Sequence, residues 1–173
     1  MQPTHRSSRI LLPVKRWFVY FSLLIALGLD YIPTGRLIGI PDPVALVLAF
    51  WCIREPLHVG MGVAFLLGLL VDVGHGAALG QHALGYVVLA YLSEAVSRRV
   101  LWFQPFEQAL HILPIFLITQ ILMTGIRLLA GAEFPGWWIF LGPFVSAALW
   151  VPLHFVLLFP QFQPVERDDN RPI

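Results

Sequence analysis

The chain has 173 residues, of which 58% are hydrophobic and 12% are charged, and its net charge at pH 7 is +1. Soluble domains carry about a quarter charged residues, so this composition excludes an ordinary water-soluble fold and indicates an integral membrane protein. The near-neutral charge, with no basic patch beyond the N-terminal arm, excludes a nucleic-acid partner, and the single cysteine excludes an internal disulfide.

The apolar blocks predict a single all-α membrane domain, because they lack the period-2 alternation of a membrane β-barrel. Residues 1–16 form a basic arm that is predicted to be cytoplasmic. The apolar run that begins at Trp17 predicts an uncleaved first span over residues 17–34. Residues 160–173 follow the last apolar block and are predicted to form a cytoplasmic C-terminal tail.

The second apolar block, PVALVLAFWCI, is short for a span and allows two interpretations. It is either a short span over residues 42–54 that turns at Arg-Glu-Pro (54–56) into a third span over 57–74, or part of one kinked helix over 43–71. The hairpin places nine Lys and Arg residues on one side of the membrane and two on the other, whereas the single helix places about five on each side. The positive-inside rule therefore favours the hairpin, which also keeps two charged residues away from the bilayer centre.

The remaining blocks complete a domain of six transmembrane helices over residues 17–159. They predict spans over residues 80–97, 107–130 and 137–159. The charge bias then places both termini in the cytoplasm. Trp150 falls well inside the sixth span, so we expect its side chain to face other helices.

No pattern in the sequence predicts catalytic residues, a cofactor site or a metal site. The chain has no GxSxG, HExxH or phosphate-binding loop, and its histidines form no pair at helical spacing. We therefore expect a protein that is not an enzyme and has no cofactor. Ionisable groups are costly to bury in a membrane. Asp30, Asp72 and Arg127 are predicted at the outer ends of their spans, where either aspartate could pair with the arginine.

The third span carries a row of small residues at four-residue intervals that ends in a carboxylate: Gly60, Ala64, Gly68 and Asp72. Small residues at this spacing let two membrane helices approach closely. The row is either an internal contact of the bundle or a packing surface for the helix of a partner protein. In the second case, Ala45 and Ala49 on the second span would extend the surface.

A series of residues within positions 38–122 follows one order: Pro41, Asp42, Trp51, Pro56, Gly60, Phe65, Gly68, Leu69, Asp72, Leu79, Gly80 and Ala83. This series resembles the MreD family of rod shape-determining proteins of Gram-negative bacteria. The family pattern is an extracytoplasmic Pro-Asp, a Trp span, a Pro-His turn, a glycine-containing span that ends in Gly-Leu-x-x-Asp, then Leu-Gly and a further span. The chain departs from it at Leu57, which separates Pro56 from His58.

The resemblance implies a non-enzymatic, multi-pass scaffold of the cell-elongation (rod) complex in the bacterial inner membrane, which helps to position peptidoglycan synthesis. The implied partners are MreC, by direct contact, and MreB, RodA and the elongation transpeptidase in the same complex. The expected contact regions are Gly60, Gly68 and the loop at Pro41 and Asp42.

The family is also similar in fold to the S-components of energy-coupling-factor vitamin transporters, which are six-helix proteins with an extracytoplasmic pocket. This similarity implies an alternative function, a membrane protein that binds a small molecule. The residues expected at the outer-face loops and pocket are Pro41, Asp42, Asp72, His75, Gly80 and His82.

Overall fold

The computed structural model describes residues 15–32 and 41–159, and all regular elements in these ranges are helical. The elements are α1 (Arg16–Asp30), α2 (Pro43–Arg54), α3 (Met61–His75), α4 (Gln81–Val100), α5 (Pro105–Leu129), a 3₁₀ turn (Trp137–Phe140) and α6 (Leu141–Leu158). The predicted all-α fold is confirmed for these residues. Residues 1–14, 33–40 and 160–173 lie outside the described residues. The predictions for most of the N-terminal arm, for the end of the first span and for the C-terminal tail fall on these residues.

The segment that allowed two interpretations consists of two helices. After α2, the backbone N–H groups of His58 and Val59 donate to the carbonyl oxygen of Glu55 at 2.9 and 3.0 Å and close a tight turn. Pro56 lies in this turn and has no N–H to continue a helical hydrogen-bond pattern. The turn occupies residues 55–60, so α3 begins at Met61 and not at residue 57.

Helix α2 lies at the centre of the bundle. Every residue from Val44 to Ile53 is buried, and α2 packs against α1, α4 and α6. Its twelve residues extend about 18 Å at the usual helical rise, well short of a hydrocarbon core of about 30 Å. The short apolar block is therefore a helix of the protein interior, surrounded by other helices of the chain.

Two buried tryptophans join the central helix to its neighbours. The indole N–H of Trp51 donates to the Ser22 hydroxyl of α1 at 2.8 Å. Trp150 of α6 donates to the side-chain oxygen of Gln108 of α5 at 3.3 Å, and its ring lies 5.7 Å from that of Phe50. Both indole donors have partners, as buried tryptophans require. The prediction that Trp150 faces other helices is confirmed.

Among the described residues, two helical segments are long and apolar enough to cross a membrane, namely α5 and the stretch Trp137–Leu158 that contains α6. Helices α2 and α3 are shorter apolar helices. Large apolar side chains, including Trp17, Leu66 and Phe155, are exposed on the outside of the bundle. Lipid is a favourable solvent for such a surface, whereas water is not.

One cavity is lined by residues of α1, α2, α3, α4 and α5. The carboxyl ends of α1, α3 and α5 therefore meet the amino ends of α2 and α4 at this cavity. We call this the cavity end of the bundle. The opposite end, which we call the basic end, carries five of the six Lys and Arg residues that the structure describes: Lys15, Arg16, Arg54, Arg98 and Arg99. The sixth, Arg127, lines the cavity.

Candidate functional site

The cavity has a volume of about 760 Å³, which is within the usual range of ligand pockets. Its titratable lining residues come from five helix ends: Asp30, Asp42, His75, His82 and Arg127. Pro41 also lines it, and apolar side chains such as Leu29 and Ile139 complete the wall. The structure brings Pro41, Asp42, His75 and His82 together at one cavity, but it leaves Asp72 and Gly80 outside the lining.

Asp42 holds the amino end of α2. Its Oδ1 accepts the backbone N–H of Ala45 at 2.8 Å, and Pro43 occupies the first helical position, where a missing N–H costs nothing. Its Oδ2 accepts the hydroxyl of Tyr86 at 2.7 Å, and Tyr86 is fully buried in α4. The Asp42 carboxylate therefore fixes α2 against α4 while it lines the cavity.

Asp72 caps the amino end of α4 from the last turn of α3. Its Oδ2 accepts the backbone N–H of Gly80 at 2.8 Å and that of Ala83 at 3.4 Å. Its Oδ1 accepts the backbone N–H of His82 at 2.8 Å and lies 2.8 Å from Nδ1 of the same residue. Gly80 has a φ of 98°, a conformation that residues with a side chain rarely adopt. Asp72 and Gly80 therefore hold His82 in place from behind the cavity wall.

Asp30 and His75 form a second polar pair at the cavity. Nε2 of His75 lies 3.4 Å from Oδ2 of Asp30, whose side chain is only 11% exposed. This Oδ2 is buried and has no hydrogen-bond partner among the described residues. The rings of His75 and His82 are 5.9 Å apart, because one ends α3 and the other begins α4. In residues 15–32 and 41–159, no group of three or more His, Cys, Asp or Glu side chains is placed to hold a metal ion.

Arg127 reaches the cavity from the last turn of α5. Its Nε atom is buried without a hydrogen-bond partner within the described part of the chain. No ion pair within 4.0 Å joins it to Asp30 or Asp72 there. The pairing of Arg127 with one of these aspartates, which the sequence allowed, is therefore not formed among the described residues, because α4 occupies the Asp72 carboxylate and His75 lies beside that of Asp30.

The polar face of α5 that lines the cavity was not predicted from the sequence. Gln120, Thr124 and Arg127 are spaced at i, i+4 and i+7 and all line it. This spacing puts three polar side chains on one face of an otherwise apolar helix, a signal that the sequence contains. Tyr86, by contrast, gives no sequence signal of its contact with Asp42, because nothing in the sequence shows which carboxylate its hydroxyl meets.

The row of small residues on α3 faces α4. Ala64 and Gly68 are buried, and a Cβ atom on Gly68 would overlap the backbone of Ala83 and lie 2.7 Å from the carbonyl carbon of His82. Gly60 precedes α3, and a Cβ atom there would meet only the carbonyl oxygen of Pro56, at 3.8 Å, among the described residues. Ala45 and Ala49 are buried within α2. The internal alternative therefore describes Gly68, since a partner's helix would have to displace α4 to reach it.

Comparison with known proteins identifies a family. The model of the rod shape-determining protein MreD family matches residues 8–159. The chain is 32% identical over 159 residues to the rod shape-determining protein MreD of Haemophilus influenzae, and this alignment covers 84% of the chain and 91% of that protein. No solved structure matches the chain. With a family match over most of its length, and with the Pro-Asp, Gly-Leu-x-x-Asp and Leu-Gly residues gathered at one end of the helical bundle, the chain belongs to the MreD family of rod shape-determining proteins.

Proposed function

We propose that this chain is a non-enzymatic inner-membrane scaffold of the cell-elongation (rod) complex. In this role it binds MreC directly and helps to position peptidoglycan synthesis, together with MreB, RodA and the elongation transpeptidase, for the maintenance of rod shape. Membership of the MreD family is the observation that carries the proposal, since it supports a part in rod shape maintenance. The exposed apolar side chains around the helices support a place in the membrane.

The proposed topology has six spans with both termini in the cytoplasm, and its layout is similar to that of a vitamin-transporter S-component. Five of the six described Lys and Arg residues lie at the basic end, which the positive-inside rule assigns to the cytoplasm. The cavity end, with Pro41 and Asp42, then faces the extracytoplasmic side. The predicted arm, the transmembrane domain over 17–159 and the tail are parts of the same proposal.

We place the MreC contact on the exposed face of α3, beside the predicted outer loop. Helix α3 lies at the edge of the bundle, where it packs mainly on α4. Its 15 residues extend about 22 Å, and a membrane helix that is too short for the bilayer is stabilised by association with another helix. Phe65, Leu66 and Leu70 are exposed on the side away from α4 and offer an apolar surface for the single helix of MreC.

The proposal is tested by co-purification from membranes of the native host, with the tagged chain as bait. We expect MreC among the recovered proteins. A Leu66→Trp substitution puts a large ring into the proposed contact and should reduce MreC recovery about tenfold, the effect of a loss of about 1.4 kcal/mol. The matched control is Leu110→Trp on the exposed face of α5, which should leave recovery unchanged.

The possible outcomes separate the function from the contact surface. If the unaltered chain recovers no MreC, the scaffold function is wrong. If it recovers only an ATP-binding protein, the transporter-like alternative replaces it. If MreC is recovered equally with Leu66→Trp and Leu110→Trp, the scaffold function stands and the assignment of the contact to α3 is rejected.

A further inference from the structure

Two residues of opposite charge, Asp30 and Arg127, line the cavity. Each has one buried polar atom, Oδ2 of Asp30 and Nε of Arg127, without a hydrogen-bond partner in the part of the chain that the structure describes. No ion pair within 4.0 Å joins the two residues. The His75 ring lies 3.4 Å from Oδ2 of Asp30 but makes no hydrogen bond to it. A buried charged group without a hydrogen-bond partner is costly, so a ligand that supplies a partner to Asp30 and to Arg127 is favoured.

The other carboxylates near the cavity are already engaged. Both oxygens of Asp72 accept backbone N–H groups of α4, and both oxygens of Asp42 accept hydrogen bonds, from Ala45 and from Tyr86. These two aspartates hold helix ends, and their acceptors are largely used. Among the aspartate and arginine residues that line the cavity, Asp30 and Arg127 are therefore the two with a polar atom that lacks a hydrogen-bond partner in the described part of the chain.

The cavity lining carries charges of both signs, which disfavours a simple ion. An anion at Arg127 would share the cavity with Asp30 and Asp42, and a cation at Asp30 would share it with Arg127. A ligand with one charge of each sign satisfies both groups at once. A guanidinium pairs best with the planar or tetrahedral oxygens of a carboxylate or phosphate, and a carboxylate with a free oxygen accepts an N–H of an ammonium group.

We propose that the cavity binds a zwitterionic ligand, whose phosphate or carboxylate pairs with Arg127 and whose ammonium group pairs with Asp30. The cavity volume of about 760 Å³ exceeds that of a small zwitterionic group, so room remains for the rest of the molecule. The apolar lining at Leu29, Met123 and Ile139 suits an uncharged portion. Two sources supply this chemistry, the headgroup of an amino-phospholipid and a water-soluble phosphorylated or carboxylated amine.

The test uses the full-length chain in detergent, and binding is followed by native mass spectrometry. Phosphatidylethanolamine is the zwitterionic lipid probe, phosphatidylglycerol is the lipid probe without an amine, and phosphoethanolamine is the water-soluble probe. We expect phosphatidylethanolamine to bind about tenfold more tightly than phosphatidylglycerol, since one charge-assisted contact to Asp30 distinguishes them. Binding of phosphoethanolamine at similar affinity would identify a water-soluble ligand, whereas binding of the lipid alone would identify a bilayer source. Both results support a zwitterion site.

Three variants assign the charges. Asp30→Asn should abolish the preference for phosphatidylethanolamine, and Arg127→Gln should weaken binding of both lipids about tenfold. Arg99→Gln changes an exposed arginine at the basic end and should bind as the unaltered chain does. Equal binding of both lipids by the unaltered chain, or unchanged binding by Asp30→Asn and Arg127→Gln, would overturn the proposal.

A conservative variant distinguishes loss of lipid binding caused by the missing charge from loss caused by misfolding. Arg127→Lys keeps the positive charge and should recover most of the lipid affinity that Arg127→Gln loses, at the same thermal unfolding midpoint. Failure of Arg127→Lys to bind better than Arg127→Gln, with both variants folded, would contradict the charge pairing. The proposed ligand site does not rest on the scaffold function. MreC recovery with Arg127→Gln is measured separately and is expected to be unchanged, so failure of one proposal can be distinguished from failure of the other.

Discussion

At the scale of single residues, the buried carboxylate of Asp72 shows how a family motif acts. The Asp of Gly-Leu-x-x-Asp and the Gly of Leu-Gly are Asp72 and Gly80, and they meet in one hydrogen bond of 2.8 Å. The same carboxylate accepts the N–H groups of His82 and Ala83. These N–H groups belong to the first turn of α4 and have no acceptor within the helix. In this structure the two motifs form one capping unit, which explains the spacing between them.

Asp72→Ala should therefore destabilise the folded chain. The substitution leaves three backbone donors without their acceptor, at half-buried Gly80 and His82 and at buried Ala83, and we expect a loss of about 2 kcal/mol in the free energy of unfolding. The measurement is unfolding in mixed detergent micelles, followed by circular dichroism. Glu133→Ala, at an exposed position between α5 and α6, is the control and should change little. An equally small effect of Asp72→Ala would show that water or other groups replace the carboxylate.

At the scale of helices, α3 and α4 form a hairpin whose closeness depends on Gly68. The turn between them is short, and Asp72 closes it at the cavity end. Gly68 lies against the backbone of Ala83, so the two helices approach more closely than any side chain at that position would allow. Loss of MreC from a Gly68→Leu variant would consequently report damage to the hairpin as readily as loss of a partner contact.

The glycines of α3 provide a matched pair of substitutions. Gly68→Ala places a methyl group inside the backbone of α4 and should lower the free energy of unfolding by about 1–3 kcal/mol, the usual effect of overpacking. Gly62→Ala lies on the exposed face of the same helix, where a Cβ atom meets nothing within 4 Å. It should be neutral or slightly stabilising, since alanine favours helix formation. Equal unfolding midpoints for the two variants would contradict the close packing of α3 on α4.

At the scale of the whole molecule, the charges divide the bundle into a basic end and a cavity end. Leu57, in the turn between α2 and α3, belongs to the basic end and is 95% exposed. Leu79, between α3 and α4, belongs to the cavity end and is 75% exposed. The single cysteine, Cys52, is buried, so cysteines introduced at these two leucines can be labelled selectively. The proposed topology places them on opposite sides of the membrane.

We expect a membrane-impermeant maleimide to label Leu79→Cys in intact spheroplasts, in a Cys52→Ser background. Leu57→Cys should be labelled only after the membrane is permeabilised, because the positive-inside rule holds the basic end in the cytoplasm. Labelled protein is quantified by gel shift. The opposite pattern would invert the topology, and labelling of both positions in intact spheroplasts would contradict a membrane between them.

Hydropathy and charge were sufficient to predict the all-α fold, the break after Arg54 and the inward position of Trp150. They failed where the result depends on which helices are neighbours. Nothing in the short block 43–54 shows that α2 is surrounded on all sides, and nothing near Arg127 shows that α4 already engages Asp72. The pocket residues His75 and His82 could be predicted because both lie at helix ends that a short connection must bring together.

The burial of α2 has a consequence for how the protein is made. Helix α2 leaves the ribosome well before α6, yet the rings of Phe50 and Trp150 meet only when α6 has been synthesised. Until then α2 lacks part of its surroundings and is too short to hold a stable position across the bilayer alone. Assembly of the core must therefore wait for the synthesis of α6, and a chain without α6 would expose part of the buried helix α2 to the quality-control proteases of the membrane.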